Sequence, residues 1–402
     1  MNQPAQSPDM VPPKAAGRKA GAAAKPFCGL IDPVLVHEPV QFAFAGSLSE
    51  AAALTVWTWV LRDLCADLVS AESLASGQFG PADLEKLAPE ILTRMKAGLD
   101  QADANIESLR RLRVQMGRDD ARDIVVVTMA ALRNRALLGK AQAFGRAINA
   151  IGEDSALGVA LQSMPLQDAN VAALLFHAAM GQVANPSRLV AAIVKLCGNA
   201  GEASVQRHGF GPLIDAYLAH AQDQLYHLQF SGPFADIDRV CRSLDRFHRL
   251  VRALTGYIEF ARGSRATQVL ASITKQVSDR VEPRLREVVT DINQAMRRPR
   301  EGGDRLDNDR LLAAINGVYL LASVRECRDS LALNATFDQA WNQSGQALEV
   351  HIQRNLDLLR QQLGDPTTGA RLDAAIKMAE VRFNPDYAET LRRARNAAER
   401  RA

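Results

Sequence analysis

The sequence predicts an all-α protein: a multi-helix bundle or helical-repeat architecture with tandem long helical hairpins in its C-terminal half. Three observations carry this. Apolar residues recur at helical spacing along most of the chain, and alternating strand-like runs are nearly absent. Hydrophobic residues make up 47% of the 402 residues but aromatics only 5%, so the core is built from Ala, Leu and Val, which favours close helix packing. The third observation is an internal echo. Shifted by 71 positions, Asp236-x-Asp238-Arg239 falls on Asp307-x-Asp309-Arg310, and Val240, Leu244, Phe247, Leu250, Val277, Val281 and Leu285 fall on Leu311, Ile315, Val318, Leu321, Leu348, Ile352 and Leu356.

Taken in order, Met1 to Lys25 is rich in Pro, Ala and Lys and has little to bury, so it reads as a basic disordered tail. It lacks an apolar h-region, so no secretory signal is expected. From Phe27 to Ala45, prolines alternate with apolar residues, which predicts an extended segment laid across a helical body. Ser47 and Glu50 form a capping-box pair that starts a helix running toward Leu68. Trp57 and Trp59 lie about 160° apart on it, which predicts burial on two sides. Pro81 to Gln115 reads as one or two helices, and beyond Gly117 a further helix runs to about Ile151, beginning with the β-branched Ile124 to Val127.

Short segments fill Asp154 to Ala203, with Asn185 as N-cap and Pro186 at the first helical position of one of them. A helix follows over about Leu213 to Leu228. Ser231-Gly232-Pro233 is the expected domain boundary. Each hairpin's second arm carries an apolar stripe at intervals of eleven, Leu270, Val281 and Ile292 in one and Trp341, Ile352 and Leu363 in the other. Eleven residues in three turns runs almost straight along a helix, which predicts near-straight bundle helices. The first such arm spans Ser264 to Arg297 and contains Pro283, expected to bend it. A short helix near Leu372 to Val381 and a basic helix after Asn384-Pro385 close the chain. The expected domains are a tail over 1–40, an N-terminal helical domain over 41–230, a hairpin domain over 231–383 and a basic helix or tail over 384–402.

A net charge of +3 is too mild for the whole chain to act as a nucleic-acid binder. Cys28, Cys65, Cys197, Cys241 and Cys327 are scattered and never at metal-ligand spacing, which predicts buried thiols in a reducing, cytoplasmic setting. No transmembrane span is expected, since the longest uncharged run, Ala169 to Ser187, contains His177, Gln182, Asn185 and Pro186.

Two side-chain groups stand out. Arg239, Arg242, Arg246 and Arg249 occupy about an 80° arc of one helix opposite its apolar face, a line of guanidiniums able to hold phosphates or carboxylates. His220, Asp223 and His227 share another helix face, with His248 beside Asp245 at a distance in sequence, making a weak metal candidate. Seven residues separate the two histidines by about 10.5 Å along an axis, too far for easy chelation, so no metal or cofactor is expected. Gly209-Phe210-Gly211-Pro212 lacks the strand and lysine of a phosphate loop and reads as a turn before a helix. The leading expectation is an interaction or scaffold protein with a protein partner or a second copy of itself. The alternative is an anion-binding protein engaging nucleic acid or an anionic membrane surface through the arginine arc. A metal-dependent helical enzyme comes third.

Overall fold

A computed structural model of the chain describes residues 26–69, 81–230, 235–297, 305–361 and 365–400. The fold is all-α, with a single two-stranded parallel pair among the described residues, β1 (Leu35–Val36) beside β2 (Leu48–Ser49), in which Leu35 faces Leu48. The chain forms two compact units. One comprises the residues up to Ala184 with Gln206–Ala219; the other comprises Asn185–Val205 and His220 onward.

The first unit holds α1 (Glu50–Trp59), α2 (Pro81–Asp103), α3 (Ile106–Met116), α4 (Ala121–Arg133), α5 (Arg135–Ala150), α6 (Asp154–Gln162) and α7 (Ala169–Met180). Its core gathers Phe27, Trp57, Trp59, Ile91, Met95, Val125 and Leu132, among others. Trp57 is fully buried and stacks on Phe27 at 4.9 Å, and Trp59 is 4% exposed, so α1 is buried on two sides as its sequence predicts. Every residue of α7 from Ala172 to Met180 is buried, which explains the long uncharged run there. α5 and α7 meet nearly backbone to backbone at Gly145, where a Cβ would stand 2.3 Å from the Ala179 carbonyl oxygen. Gly46 has φ +79° and also abuts Ala173, so both its backbone conformation and its surroundings demand glycine.

Several expectations shift here. The cap of α1 is Ser49, which accepts from Ala52 N; Ser47 instead donates to the Phe44 carbonyl. α1 passes into a π-type turn over Val60–Leu64 and does not continue as a helix to Leu68. The helix expected to run to Ile151 is broken at Asn134, whose side chain donates back to the Ala130 carbonyl, a local alternative to helix continuation. Residues 37–47 are non-helical, as the prolines predict, while Asp32–Val34 forms a 3-10 turn. The predicted tail over residues 1–25 lies outside the described residues.

The second unit begins with α8 (Pro186–Cys197), which Asn185 caps by accepting from Arg188 N. Along the chain come α9 (Glu202–Arg207), which crosses into the first unit at Gln206, and α10 (Gly211–Asp223), which belongs to the first unit up to Ala219; from His220 the chain is again in the second unit, and a 3-10 turn covers Gln224–His227. The two hairpins are α11 (Ile237–Tyr257) with α12 (Arg265–Met296), and α13 (Asn308–Cys327) with α14 (Asn334–Gln361). The echoed aspartates do the same work in each: Asp236 accepts from Arg239 N at 3.0 Å and Asp307 from Arg310 N at 3.1 Å. α12 runs unbroken through Pro283 for about 48 Å at 1.5 Å per residue. It packs on α13 and α14, while α11 packs on α8 and α13. The described positions of the eleven-residue stripe lie in this core, Val277, Val281, Val288 and Ile292 at 0% exposure and Leu348 likewise, except that Trp341 is only half-buried.

Of the closing helices, α15 (Pro366–Arg382), capped by Asp365, is longer than the stretch near Leu372 to Val381 that the sequence suggests, and α16 (Pro385–Arg400) starts where Asn384-Pro385 predicts. α16 is basic but paired, with Arg392 on Glu380 and Arg395 on Asp373. The expected boundary at Ser231-Gly232-Pro233 and the stripe residue Leu363 lie outside the described residues.

Candidate interaction surface

Of the histidine group of α10, Asp223 and His227 are brought together, with ligand atoms within 4.8 Å of each other. α10 ends at Asp223, and His227 sits at the end of the 3-10 turn that follows. His227 Nδ1 accepts from Arg239 Nε at 3.1 Å, and its ring meets Tyr226 edge-on at 5.1 Å. His248 lies elsewhere in this unit, its Nδ1 2.9 Å from Ser330 Oγ. Burial, aided by Arg252, pushes the His248 imidazole below its ordinary range. Within either unit taken alone, no three His, Cys, Asp or Glu among the described residues bring ligand atoms together as a metal requires.

The arginine arc stands on α11 opposite Val240, Leu244, Phe247 and Leu250, all buried. Its members are engaged within the chain. Arg239 bonds His227 and lies over the Tyr226 ring at 5.7 Å. Arg242 Nε donates to the Asp238 carbonyl, and Arg249 pairs with Asp245. Arg246 is half-buried and also has a partner. Asp245 holds Arg249 more firmly protonated than usual, chiefly through its hydrogen bond.

A different group concentrates aromatic and cationic side chains where α13, α14 and α15 meet. Trp341 on α14 has Arg382 Cζ 3.6 Å from its ring centroid and Arg325 Cζ at 4.9 Å. Phe337, one turn back, lies 5.6 Å from Trp341 and carries Arg328 at 5.4 Å. Beyond Arg382 the series continues through Phe383, at 5.1 Å, to Tyr387, whose ring meets Phe383 at 5.1 Å.

Arg382 is 8% exposed, yet neither it nor Arg325 bonds a carboxylate among the described residues. Its Nη2 donates to the Trp341 carbonyl at 2.6 Å, and its Nε donates to that carbonyl at 3.1 Å and to Ser344 Oγ at 3.3 Å. Burial pushes its pKa down to about 10, with Arg325 adding to the shift and Glu349 opposing it. Gly345 makes room for this guanidinium, since a Cβ there would stand 2.9 Å from Nη2. Arg325 and Arg328 are exposed, and Arg328 Nη2 lies 3.6 Å from Asp338 Oδ1.

None of these residues except Trp341 is singled out by the sequence, and Trp341 is there read as a core position. Only Gly345, a small residue one turn from a large aromatic on α14, hints locally at something that must fit between them. Compared with protein-family models, with curated proteins and with solved structures, the chain matches none.

Proposed function

We propose that this chain is an α-helical interaction protein, and that the Trp341 surface of its second unit is where an acidic segment of a protein partner docks. The observation that carries the reading is the half-exposed Trp341 held between two arginines that bond no carboxylate among the described residues. Trp, Tyr and Arg dominate binding hot spots, because they combine large buried area with directional polar contacts. A carboxylate arriving at Arg325 would meet an exposed guanidinium beside the ring, with the buried charge of Arg382 behind it adding to the positive field. A cytosolic setting fits the five free thiols, four of them buried.

The test is fluorescence anisotropy of the full chain with a labelled peptide alternating Glu with Leu and Phe, beside a neutral Gln analogue. Salt-sensitive binding of the acidic peptide is expected, weakened at least tenfold by Trp341→Ala and by Arg325→Gln, with helicity unchanged. Binding that both substitutions leave intact, or that the neutral analogue matches, overturns the reading.

A further inference from the structure

We propose, resting on the docking reading of the Trp341 surface, that two side chains of α14 set how many carboxylates a docked segment brings. Asp338 keeps one arginine of that surface for the chain itself, and the neutral Asn342 leaves the next one open for the partner.

α14 carries a short echo in which Phe337-Asp338-Gln339-Ala340 is followed by Trp341-Asn342-Gln343-Ser344. Residues four apart on a helix share a face one turn on, so Trp341 follows Phe337 and Asn342 follows Asp338 up the same side. Facing them are Arg325, on α13, and Arg328, in the 3-10 turn after it. Two rungs result: Arg328 lies 5.4 Å from the Phe337 ring and Arg325 4.9 Å from the Trp341 ring, with the rings 5.6 Å apart. On the first rung, the residue directly after the ring is Asp338, whose Oδ1 lies 3.6 Å from Arg328 Nη2. On the second, the residue in that place is Asn342, and Arg325 bonds no carboxylate among the described residues. The first rung thus shows what the second lacks. An amide has the shape of a carboxylate but no negative charge, so Asn342 cannot neutralise the guanidinium beside it.

Both rungs are within reach of a partner, since Arg325, Arg328, Asp338 and Asn342 are all exposed. The pair of Arg328 with Asp338 is open to water and hence weak, but a second incoming carboxylate must still displace it. Arg325 lies about 25 Å along α13 from Asn308, and Trp341 about 30 Å along α14 from Gln361. The rungs therefore stand at the closed end of the hairpin, and the chain from 305 to 361 carries both without a break.

Fluorescence anisotropy of the full chain with two labelled peptides, one bearing a single Glu and one bearing two at alternate positions, tests the assignment. The native chain should bind the two within about threefold of each other. Asn342→Asp should weaken both by about fivefold or more, supplying Arg325 from within, whereas Asn342→Ala should leave both unchanged. Asp338→Asn should make the doubly acidic peptide the tighter by about fivefold, and adding Arg328→Gln should cancel that gain. Every substituted position is exposed, so each variant should melt like the native chain. Binding that Asn342→Asp leaves intact, or that Asn342→Ala weakens equally, overturns the assignment while the docking surface stands. So does an Asp338→Asn chain that does not distinguish the peptides. Binding of neither peptide by the native chain overturns both the assignment and the docking itself.

Discussion

The guanidinium of Arg382 lies 3.6 Å from the ring centroid of Trp341 while two of its nitrogens donate to that same residue's backbone carbonyl. Ring and carbonyl thus clamp one buried cation from two sides. Cation–π contact is worth about 2 kcal/mol when desolvated, but removing a guanidinium from water costs several kcal/mol without a counter-ion. The side chain is therefore not held there for stability alone.

It follows that Arg382→Met, which keeps the stem's bulk and discards the charge, should change unfolding free energy by no more than about 1 kcal/mol in either direction. Arg382→Ala, which opens a cavity against α14, should cost about 2 kcal/mol or more. Urea denaturation compares them. Should Met cost as much as Ala, the hydrogen bonds to Trp341 outweigh the burial penalty.

Trp341 is half-buried, whereas the chain's other two tryptophans, Trp57 and Trp59, are buried. Its arginines should draw iodide toward it and repel caesium. Stern–Volmer quenching of native protein should be stronger with iodide, and Trp341→Phe should remove the difference. Equal quenching by both ions would place the ring away from the cations.

In the first unit, Trp57→Ala and Trp59→Ala should each cost about 3 to 5 kcal/mol, since both indoles fill the core. A variant that melts like the native chain would show its indole to be dispensable to packing.

Two glycines of α5 make a matched pair. Gly139→Ala meets nothing within 4 Å and should stabilise by about 0.5 to 1 kcal/mol through helix propensity. Gly145→Ala meets the Ala179 carbonyl at 2.3 Å and should destabilise by about 1 to 3 kcal/mol. Thermal melts with opposite shifts confirm the packing of α5 on α7; shifts of the same sign contradict it.

The second unit should lose stability on mild acidification. His351 is 6% exposed, with Nε2 2.8 Å from Asn293 Oδ1 and Nδ1 buried without a partner among the described residues. Burial holds both His351 and His248 below the ordinary value of 6.5, so the unfolded chain takes up protons first. Their contribution is complete above about pH 6.5 and declines as pH falls from there toward the folded-state values. Denaturation midpoints of His248→Gln/His351→Gln should depend less on pH than those of the native chain between pH 7.5 and 5. An unchanged slope would assign the acid sensitivity to other groups.

The helices, their class and much of their punctuation were legible because each rests on neighbours in sequence. Asn185 with Pro186, Asp236 with Arg239 and Asp307 with Arg310 are caps closed within three residues, and the 71-residue echo follows from two hairpins capped alike. The valines of α12 declared their buried face by spacing alone. Where two local signals competed, as between Ser47 and Ser49 for the cap of α1, the choice fell to the short pairing of Leu48–Ser49 with Leu35–Val36, which fixes where the chain turns into helix.

Partnerships across the fold left no such trace. Arg382 reaches Trp341 over 41 positions, and Arg371 reaches Arg305 over 66. No period or cap marks such pairs, because a guanidinium's partner depends on which helices pack side by side and on whether a glycine such as Gly345 leaves it room. Local sequence determined that this chain is built of helices and where most of them start. Which arginines remain without a carboxylate, and which tryptophan is left beside them at the surface, was decided only by tertiary packing, since burial and charge pairing belong to the assembled bundle.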